Sequence, residues 1–157
     1  MALIEYSLEI HAPVATVWRV SQDYAVRYDW DPFPERIDVV GGDAQALHRG
    51  SQVLVHSKLG MRMLVEFVQV SPPERAAIAM VNGPWFLSKF AGSWIFQEET
   101  SQRTIARFRY TVVTAPLWLR WLVEPAATFY FTQVVKKRLA GLKVYCERLV
   151  AAEAAAA

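Results

Sequence analysis

A run of strand-like segments between residues 37 and 114 constrains the fold of this chain more than any other sequence feature. Between these segments stand glycine and proline turns, including Gly41-Gly42, Pro72-Pro73 and Asn82-Gly83-Pro84. Such residues supply the unusual or fixed backbone dihedral angles that turns require. Connections this short predict antiparallel hairpins. The predicted strands cover residues 37–40, 51–59, 61–70, 75–81, 85–98 and 103–114.

A further strand and two short helices are predicted before this run. Residues 3–11 alternate between polar and apolar side chains, which is the period of a half-buried strand. Pro13 can open a helix at its first turn, with Val14, Val17 and Trp18 on one face. A second short helix is predicted over residues 24–30, and it ends where Pro32 disfavours helical geometry in Asp31.

The chain closes with a helical region that runs from residue 116 to about residue 152. Apolar residues recur there every three or four positions and predict one buried stripe: Phe131, Val135, Leu139, Leu142, Cys146 and Leu149. Pro125 predicts either a short helix followed by a long one or a single helix kinked at the proline. An antiparallel sheet with one apolar face needs a cover, and the long helix is the only predicted element large enough to provide it.

Composition narrows the class of protein. The chain has 157 residues, so we expect one domain over residues 1–153 with a frayed alanine tail at 154–157. Hydrophobic residues make up 54%, with six Trp, six Tyr and eight Phe, so part of the apolar surface is expected to face a cavity, a partner or a membrane. The net charge of +2 is too small to indicate a nucleic-acid partner.

The sequence also argues against a membrane span and an exported protein. The apolar window 115–131 is interrupted by Arg120, Glu124 and Pro125, whereas a spanning helix needs about 17 to 25 mainly apolar residues. Residues 1–13 lack the basic start and apolar block of a secretory signal. The single cysteine, Cys146, cannot form an internal disulfide, and a cytoplasmic location is therefore expected.

Four local patterns, taken in this order of elements, resemble the START-like helix-grip superfamily (SRPBCC), especially its polyketide cyclase/dehydrase and lipid-transport branch. They are residues 10–18 (IHAPVATVW), residues 23–32 ending in Trp30-Asp31-Pro32, residues 92–96 (GSWIF), and the closing helix with Leu139 and Leu142-Lys143. The resemblance implies an α+β helix-grip fold of order β-α-α-β6-α. In that fold a curved seven-stranded antiparallel sheet wraps around the long C-terminal helix and leaves a hydrophobic cavity. Members bind, carry or chemically process lipids, polyketides and similar molecules, so the fold alone does not choose the activity.

Strand parity and helix phase suggest which residues line such a cavity. Inward positions alternate along each strand, and methionine and aromatic walls suit an adaptable site for apolar ligands. A solid packed core is the alternative interpretation. The candidate ligand-binding residues are Trp30, Met63, Phe67, Met80, Phe90, Trp94, Phe96, Phe108, Tyr110, Trp121, Phe131, Val135 and Arg138.

Arg138 is the polar exception among these candidates. It falls on the inward edge of the helical stripe, where an unpaired guanidinium is costly to bury. It therefore requires a carboxylate, a hydroxyl network or an anionic ligand head group. In the alternative interpretation its stem covers apolar surface while the charge reaches solvent or pairs with Glu66 or Glu98.

No cofactor, metal site or catalytic residue is predicted. The acidic residues between positions 23 and 38 are explained better as helix caps and solvated loops than as a cation site. His11, His48 and His56 are scattered without paired metal spacing, and Cys146 is expected to be a buried, inert thiol.

Three functions are consistent with the sequence. The first is binding or transport of a hydrophobic small molecule such as a lipid, a polyketide or an isoprenoid-like compound. The second is a cyclase or dehydratase in which Tyr110, Arg138 and an acid from the 23–35 region polarise a carbonyl and move a proton. The third is a coenzyme Q-binding or protein-interaction module that uses Trp118 and Trp121. Transient membrane contact, and either a monomer or a homodimer, are consistent with all three.

One segment is given a specific role. Residues 117–131 are predicted to form a mobile entrance wall of the cavity, because Pro125 separates them from the rest of the helix. In this hypothesis Leu117, Trp118, Trp121 and Leu122 face the interior, and Arg120 and Glu124 pair on the solvent side. A rigid core helix is the alternative.

Overall fold

The computed structural model describes residues 1–43 and 46–157, and its elements follow the predicted order. The strands are β1 (Ala2–Ile10), β2 (Pro34–Val40), β3 (Gln52–Ser57), β4 (Arg62–Ser71), β5 (Arg75–Asn82), β6 (Leu87–Thr100) and β7 (Arg103–Thr114). The helices are α1 (Val14–Gln22), α2 (Arg27–Trp30) and α3 (Arg120–Ala156), with a single 3-10 turn at Leu117–Leu119. The predicted α+β architecture is confirmed.

All seven strands belong to one antiparallel sheet in the order β1-β7-β6-β5-β4-β3-β2. The first strand therefore pairs with the last, and β1 and β2 form the two edges. Antiparallel pairing runs nearly the full length of β6 and β7, where Gly92 lies opposite Tyr110 and Trp94 lies opposite Phe108. Alternate residues of both strands are buried, so the predicted inward parity is confirmed.

Helix α3 packs against β1 and β7 and buries the predicted apolar stripe from Phe131 to Cys146. Of the two alternatives predicted at Pro125, the structure excludes the division into two helices, because α3 runs as one helix from Arg120 to Ala156 with the proline inside it. Pro125 lies in the second turn, where its missing N–H removes only the bond to the Trp121 carbonyl. Helix α2 is also shorter than predicted, since it begins at Arg27 rather than at residue 24.

The contact between α2 and α3 depends on Gly141. A Cβ atom added at this position would lie 2.0 Å from the backbone oxygen of Trp30. Two non-bonded heavy atoms cannot come this close, so only glycine allows the two backbones to make this contact. The contact brings Asp31, the residue after Trp30, next to the middle of α3.

Within residues 1–43 and 46–157, no helix is both long enough and apolar enough to cross a membrane.

Candidate functional site

A mainly apolar cavity lies between the inward face of the sheet, the region around α2, and α3. Strands β2 to β7 supply most of its wall, and Tyr24, Arg27 and Arg138 supply its polar end. The centre of a water molecule can occupy about 70 Å³ of it. Ordinary ligand pockets measure about 300–1,000 Å³, so side chains largely fill this cavity.

The structure brings seven of the predicted ligand-binding residues to the cavity wall: Met63, Phe67, Phe90, Trp94, Phe108, Tyr110 and Arg138. Four others are buried in the surrounding core: Trp30, Phe96, Phe131 and Val135. Met80 is half-buried and packs against that core. The structure places these residues at the cavity wall, and their contact with a ligand stays a prediction.

The placement predicted for Trp121 is wrong. This side chain is 76% exposed, because it lies on the face of α3 that points away from the sheet. Leu117 and Trp118, at 78% and 75% exposure, and Leu122 also face outward. Residues 117–131 therefore do not form an entrance wall of the cavity. The expected pairing of Arg120 with Glu124 is present.

Aromatic rings form a connected wall on β6 and β7. The ring centroids of Trp94 and Phe108 are 4.2 Å apart, those of Phe108 and Tyr110 are 4.7 Å apart, and those of Tyr110 and Phe90 are 4.7 Å apart. Such contacts hold each ring in one orientation. The side chains of Met61 and Met63 also line the cavity. Methionine is unbranched and flexible, so this part of the wall is the adaptable one.

The polar end of the cavity is a buried ion cluster. Arg138 donates hydrogen bonds from Nε and Nη2 to Oδ2 of Asp31, at 3.0 and 2.7 Å, and from Nη1 to the Tyr110 hydroxyl at 2.6 Å. Arg27 donates from Nη1 to Oδ2 of Asp31 at 3.3 Å and from Nη2 to the carbonyl oxygen of Ser21. The exposed fractions of Arg27, Asp31 and Arg138 are only 5%, 3% and 7%.

The expected need of Arg138 for a carboxylate or a hydroxyl network is met by Asp31 and Tyr110. The alternative pairing of Arg138 with Glu66 or Glu98 is wrong. The interpretation of Asp31 as a cap or solvated loop residue is also wrong, because Asp31 is a buried ion-pair partner. Glu66 instead accepts a hydrogen bond from Gln52. Sequence analysis also did not single out Arg27. Its one available signal was the spacing of four between Arg27 and Asp31, which places opposite charges one helical turn apart.

The pKa directions of the cluster reflect burial acting against the attraction between Asp31 and the two arginines. Burial alone would raise the pKa of Asp31, but Arg138 and Arg27 outweigh it and hold this pKa below its usual value. Burial likewise acts to lower the pKa of Arg138, yet Asp31 and Tyr110 raise it overall. The pKa of Arg27 is lowered, because burial exceeds the opposing pull of Asp31. Both arginines therefore share the single carboxylate of Asp31.

Burial also raises the pKa of Tyr110 and the pKa of Tyr24, which keeps both phenols neutral at pH 7. A neutral phenol donates hydrogen bonds. In the bond from Arg138 the Tyr110 oxygen accepts, so its own proton is left for another acceptor.

Other reactive groups lie apart from this cluster. Cys146 is fully buried on α3, where burial raises the pKa of its thiol to about 12 and makes it unreactive. In the described parts of the chain, no three His, Cys, Asp or Glu side chains are grouped so that they could hold a metal ion.

A second feature lies on the outer surface at the start of α3. It consists of exposed apolar side chains, and we call it the outer aromatic patch: Leu117, Trp118, Trp121, Leu122 and Phe129. Soluble proteins rarely expose such a group of large apolar side chains without a binding role.

Comparisons with known proteins agree with this architecture. The model of a family described as "Polyketide cyclase / dehydrase and lipid transport" matches residues 1–147. A START superfamily protein from Mycobacterium smegmatis superposes with a TM-score of 0.78 at 10% identity, covering 94% of this chain and 98% of that one. No curated protein matches the sequence.

Two solved structures of enzymes have the same fold. An aromatase/cyclase from a Streptomyces species gives a TM-score of 0.76 at 18% identity, with 95% of each chain covered. Truncated norcoclaurine synthase from Thalictrum flavum gives 0.70 at 13% identity, covering 90% of this chain and 91% of that one. At such low identities the likeness establishes the fold alone.

Proposed function

The chain belongs to the polyketide cyclase/dehydrase and lipid transport family, and from this premise we propose that it binds or transports a hydrophobic small molecule. The ligand, a lipid, polyketide or isoprenoid-like compound, occupies the cavity between the sheet and α3. Cytoplasmic location belongs to the same proposal, supported by the single buried cysteine.

The observation that carries this proposal is the composition of the cavity wall. Rings of Phe90, Trp94 and Phe108 line it together with Met61 and Met63, and the polar groups gather at one end. Ligand sites have this arrangement, in which a predominantly apolar wall gives affinity and a few polar groups fix orientation. Because the cavity is small as it stands, a ligand enters by displacing the methionine side chains.

A fluorescence titration with the neutral probe N-phenyl-1-naphthylamine tests the proposal. Ile78 lines the cavity from β5, so Ile78→Trp should fill it and abolish the fluorescence enhancement that the wild type shows. Val68→Trp on β4 is the matched control, since Val68 is exposed and outside the cavity. Thermal melts establish that both variants are folded. An unchanged enhancement in a folded Ile78→Trp variant would contradict the proposal.

The outer aromatic patch needs a separate control, because an exposed apolar surface also binds such probes. The double variant Trp118→Ser/Trp121→Ser should leave the cavity signal unchanged. Native mass spectrometry of molecules that co-purify with the wild type then identifies the ligand.

A cyclase or dehydratase is the second candidate, and one specific observation favours it. Tyr110, Arg138 and Asp31, the combination that such chemistry requires, lie within hydrogen-bonding distance. The neutral Tyr110 hydroxyl can polarise a carbonyl. Asp31, however, is held ionised by both arginines and is a poor proton donor near neutral pH. Binding therefore has better support than proton transfer. Tyr110→Phe distinguishes the two, because an enzyme loses turnover whereas a binding protein retains its apolar ligand.

A further inference from the structure

The polar end of the cavity contains one more buried cation than buried anions. Arg27 and Arg138 are both guanidinium ions, which stay protonated in proteins, and both share the single carboxylate of Asp31. Tyr24 and Tyr110 are neutral. In the described chain, Asp31 is the only carboxylate among the groups that shift the pKa of Arg27. The cluster therefore carries a net charge of +1.

Arg27 is the guanidinium left in excess. Its Nη1 contact to Asp31 is longer than the Arg138 contacts, at 3.3 against 2.7 Å. Its Nη2 donates to the carbonyl of Ser21 near the end of α1, which supplies only a partial negative charge. The rings of Tyr24 and Trp30 lie 4.9 and 5.1 Å from the guanidinium carbon and supply weaker cation–π attraction.

One donor of Arg27 is also unused. Its Nε is buried and has no hydrogen-bond partner in the described chain, although Arg27 itself lines the cavity. A buried donor without a partner and a buried charge that shares its counterion with a second cation each destabilise the ligand-free protein. One anionic oxygen in the cavity removes both costs at once.

We infer that the ligand of this cavity carries an acidic head group, of which a carboxylate is the simplest case, and that this group binds at Arg27. The inference rests on the proposed function, because it assigns the polarity of the same ligand. The apolar body then contacts the rings and methionine side chains of the wall, including Met63, Phe67 and Phe90. Tyr110 lies on the same wall and can donate its proton to a second oxygen of the head group.

Binding of decanoate and decan-1-ol, which differ only in the head group, tests the inference by isothermal calorimetry at pH 7.5. A hydrogen bond between two charged groups is stronger than one to a neutral hydroxyl. We therefore expect the wild type to bind decanoate at least about tenfold more tightly than decan-1-ol. Arg27→Gln should abolish this preference, and Arg27→Lys should retain part of it. Arg62→Gln removes an exposed arginine on β4 and should leave the preference unchanged.

A second measurement needs only the wild type, in case the Arg27 variants do not fold. Carbon-13 NMR of carboxyl-labelled decanoate should give a lower carboxyl pKa in the bound acid than in the free acid, because the excess guanidinium stabilises the carboxylate. Equal affinities for acid and alcohol, or a bound pKa at or above the free value, would overturn the acidic head group and leave the proposed function standing. Binding of neither probe, together with no response to the neutral naphthylamine, would overturn both.

The outer aromatic patch carries a second, independent inference. Beyond Phe129, the exposed face of α3 continues with two lysines, Lys136 and Lys137. Lys136 lies seven positions after Phe129, which is roughly 10 Å along the helix axis. On this side Glu124 is already matched by Arg120 and by the N-terminal ammonium at 3.7 Å. The patch is therefore apolar with a basic flank.

We propose that the outer aromatic patch docks on the surface of a bilayer that contains anionic lipids. Tryptophan concentrates at membrane interfaces, where its ring contacts acyl chains and its N–H reaches the head-group layer. Lys137 would then reach lipid phosphates, as would Lys136 once it leaves the Tyr6 ring, whose centre lies 5.7 Å from its ammonium. Each basic residue near such a surface adds attraction. The proposed cavity ligand has an apolar body, and this surface would bring the protein to the bilayer, where such molecules dissolve.

Vesicle co-sedimentation tests this docking. The wild type should sediment with vesicles containing 30% phosphatidylglycerol and much less with pure phosphatidylcholine. Trp118→Ser/Trp121→Ser should abolish sedimentation, and Lys136→Glu/Lys137→Glu should remove the preference for anionic vesicles. Leu59→Ser, at an exposed leucine between β3 and β4, is the control and should bind as the wild type does. If the wild type does not sediment and instead dimerises in analytical ultracentrifugation in a manner that requires Trp118 and Trp121, the patch joins two copies of the chain and the proposal is overturned.

Discussion

The carboxylate of Asp31 accepts hydrogen bonds from Nε and Nη2 of Arg138, although 107 residues separate the two in sequence. This pair joins the segment after α2 to the middle of α3 and closes the polar end of the cavity. Because both partners are buried, water cannot replace either of them as the partner of the remaining charge.

Substitutions in the cluster should destabilise the protein in a definite order. Asp31→Asn leaves two buried guanidiniums without a carboxylate and should lower the free energy of unfolding by about 3–5 kcal/mol. Arg138→Leu should cost less, because Asp31 keeps Arg27, and Arg27→Met should cost least, because Asp31 keeps Arg138. Urea unfolding measures all three. Asp38→Asn, which removes an exposed pair with Arg36, is the control and should cost less than about 1 kcal/mol. A larger loss for Arg27→Met than for Asp31→Asn would refute this order.

Acid should destabilise the protein through the same carboxylate. The folded-state pKa of Asp31 lies below its reference value of 3.8, because its arginine partners outweigh the effect of burial. A depressed carboxyl pKa contributes stability that is present above the unfolded pKa and is lost as the pH falls through the folded pKa. The stability gap between wild type and Asp31→Asn should therefore be full at pH 6 and should narrow as the pH falls below 3.8. A gap independent of pH would show that Asp31 is not ionised in the folded protein.

Gly141→Ala should destabilise the protein even though alanine is the better helix former by about 1 kcal/mol. The new Cβ would lie 2.0 Å from the Trp30 oxygen, so α2 must move away from α3. Overpacking of this kind costs about 1–3 kcal/mol, and here it also draws Asp31 away from Arg138. Ala140→Gly at the neighbouring exposed position is the control, and it should cost only the ordinary propensity difference. Thermal melts compare the two variants, and a stabilised Gly141→Ala protein would contradict the close contact.

Hydrogen exchange should divide α3 into two parts. Amides of residues 120–124 should exchange much faster than those of residues 135–149, because the first turns expose their apolar side chains and Pro125 cannot donate to the Trp121 carbonyl. Mass spectrometry of peptic fragments measures this difference. Residues 117–131 do not line the cavity, so N-phenyl-1-naphthylamine should not slow their exchange. Slowing by this probe would restore the entrance-wall hypothesis.

Local periodicity was sufficient to predict most of the architecture. Alternation along β6 and β7 placed Trp94 and Phe108 on the inward face, and spacing of three and four placed Phe131, Val135 and Leu139 on the buried face of α3. These patterns repeat within a single element, so the sequence of each strand or helix shows which of its own faces is apolar. The boundary of α2 and the effect of Pro125 were predicted less well, because end effects depend on a few residues.

Tertiary structure decided which charges meet and which apolar face stays outside. Nothing local links Asp31 to Arg138, whose contact requires α2 to rest on Gly141. Periodicity shows that Trp118 and Trp121 share a face with Leu117 and Leu122, but a helix with apolar residues on two sides can bury only the one that meets the sheet. The stripe that continues to Cys146 buries more apolar surface than the short outer aromatic patch. That stripe therefore packs on β1 and β7, and the tryptophans remain in solvent because the sheet covers only one side of α3.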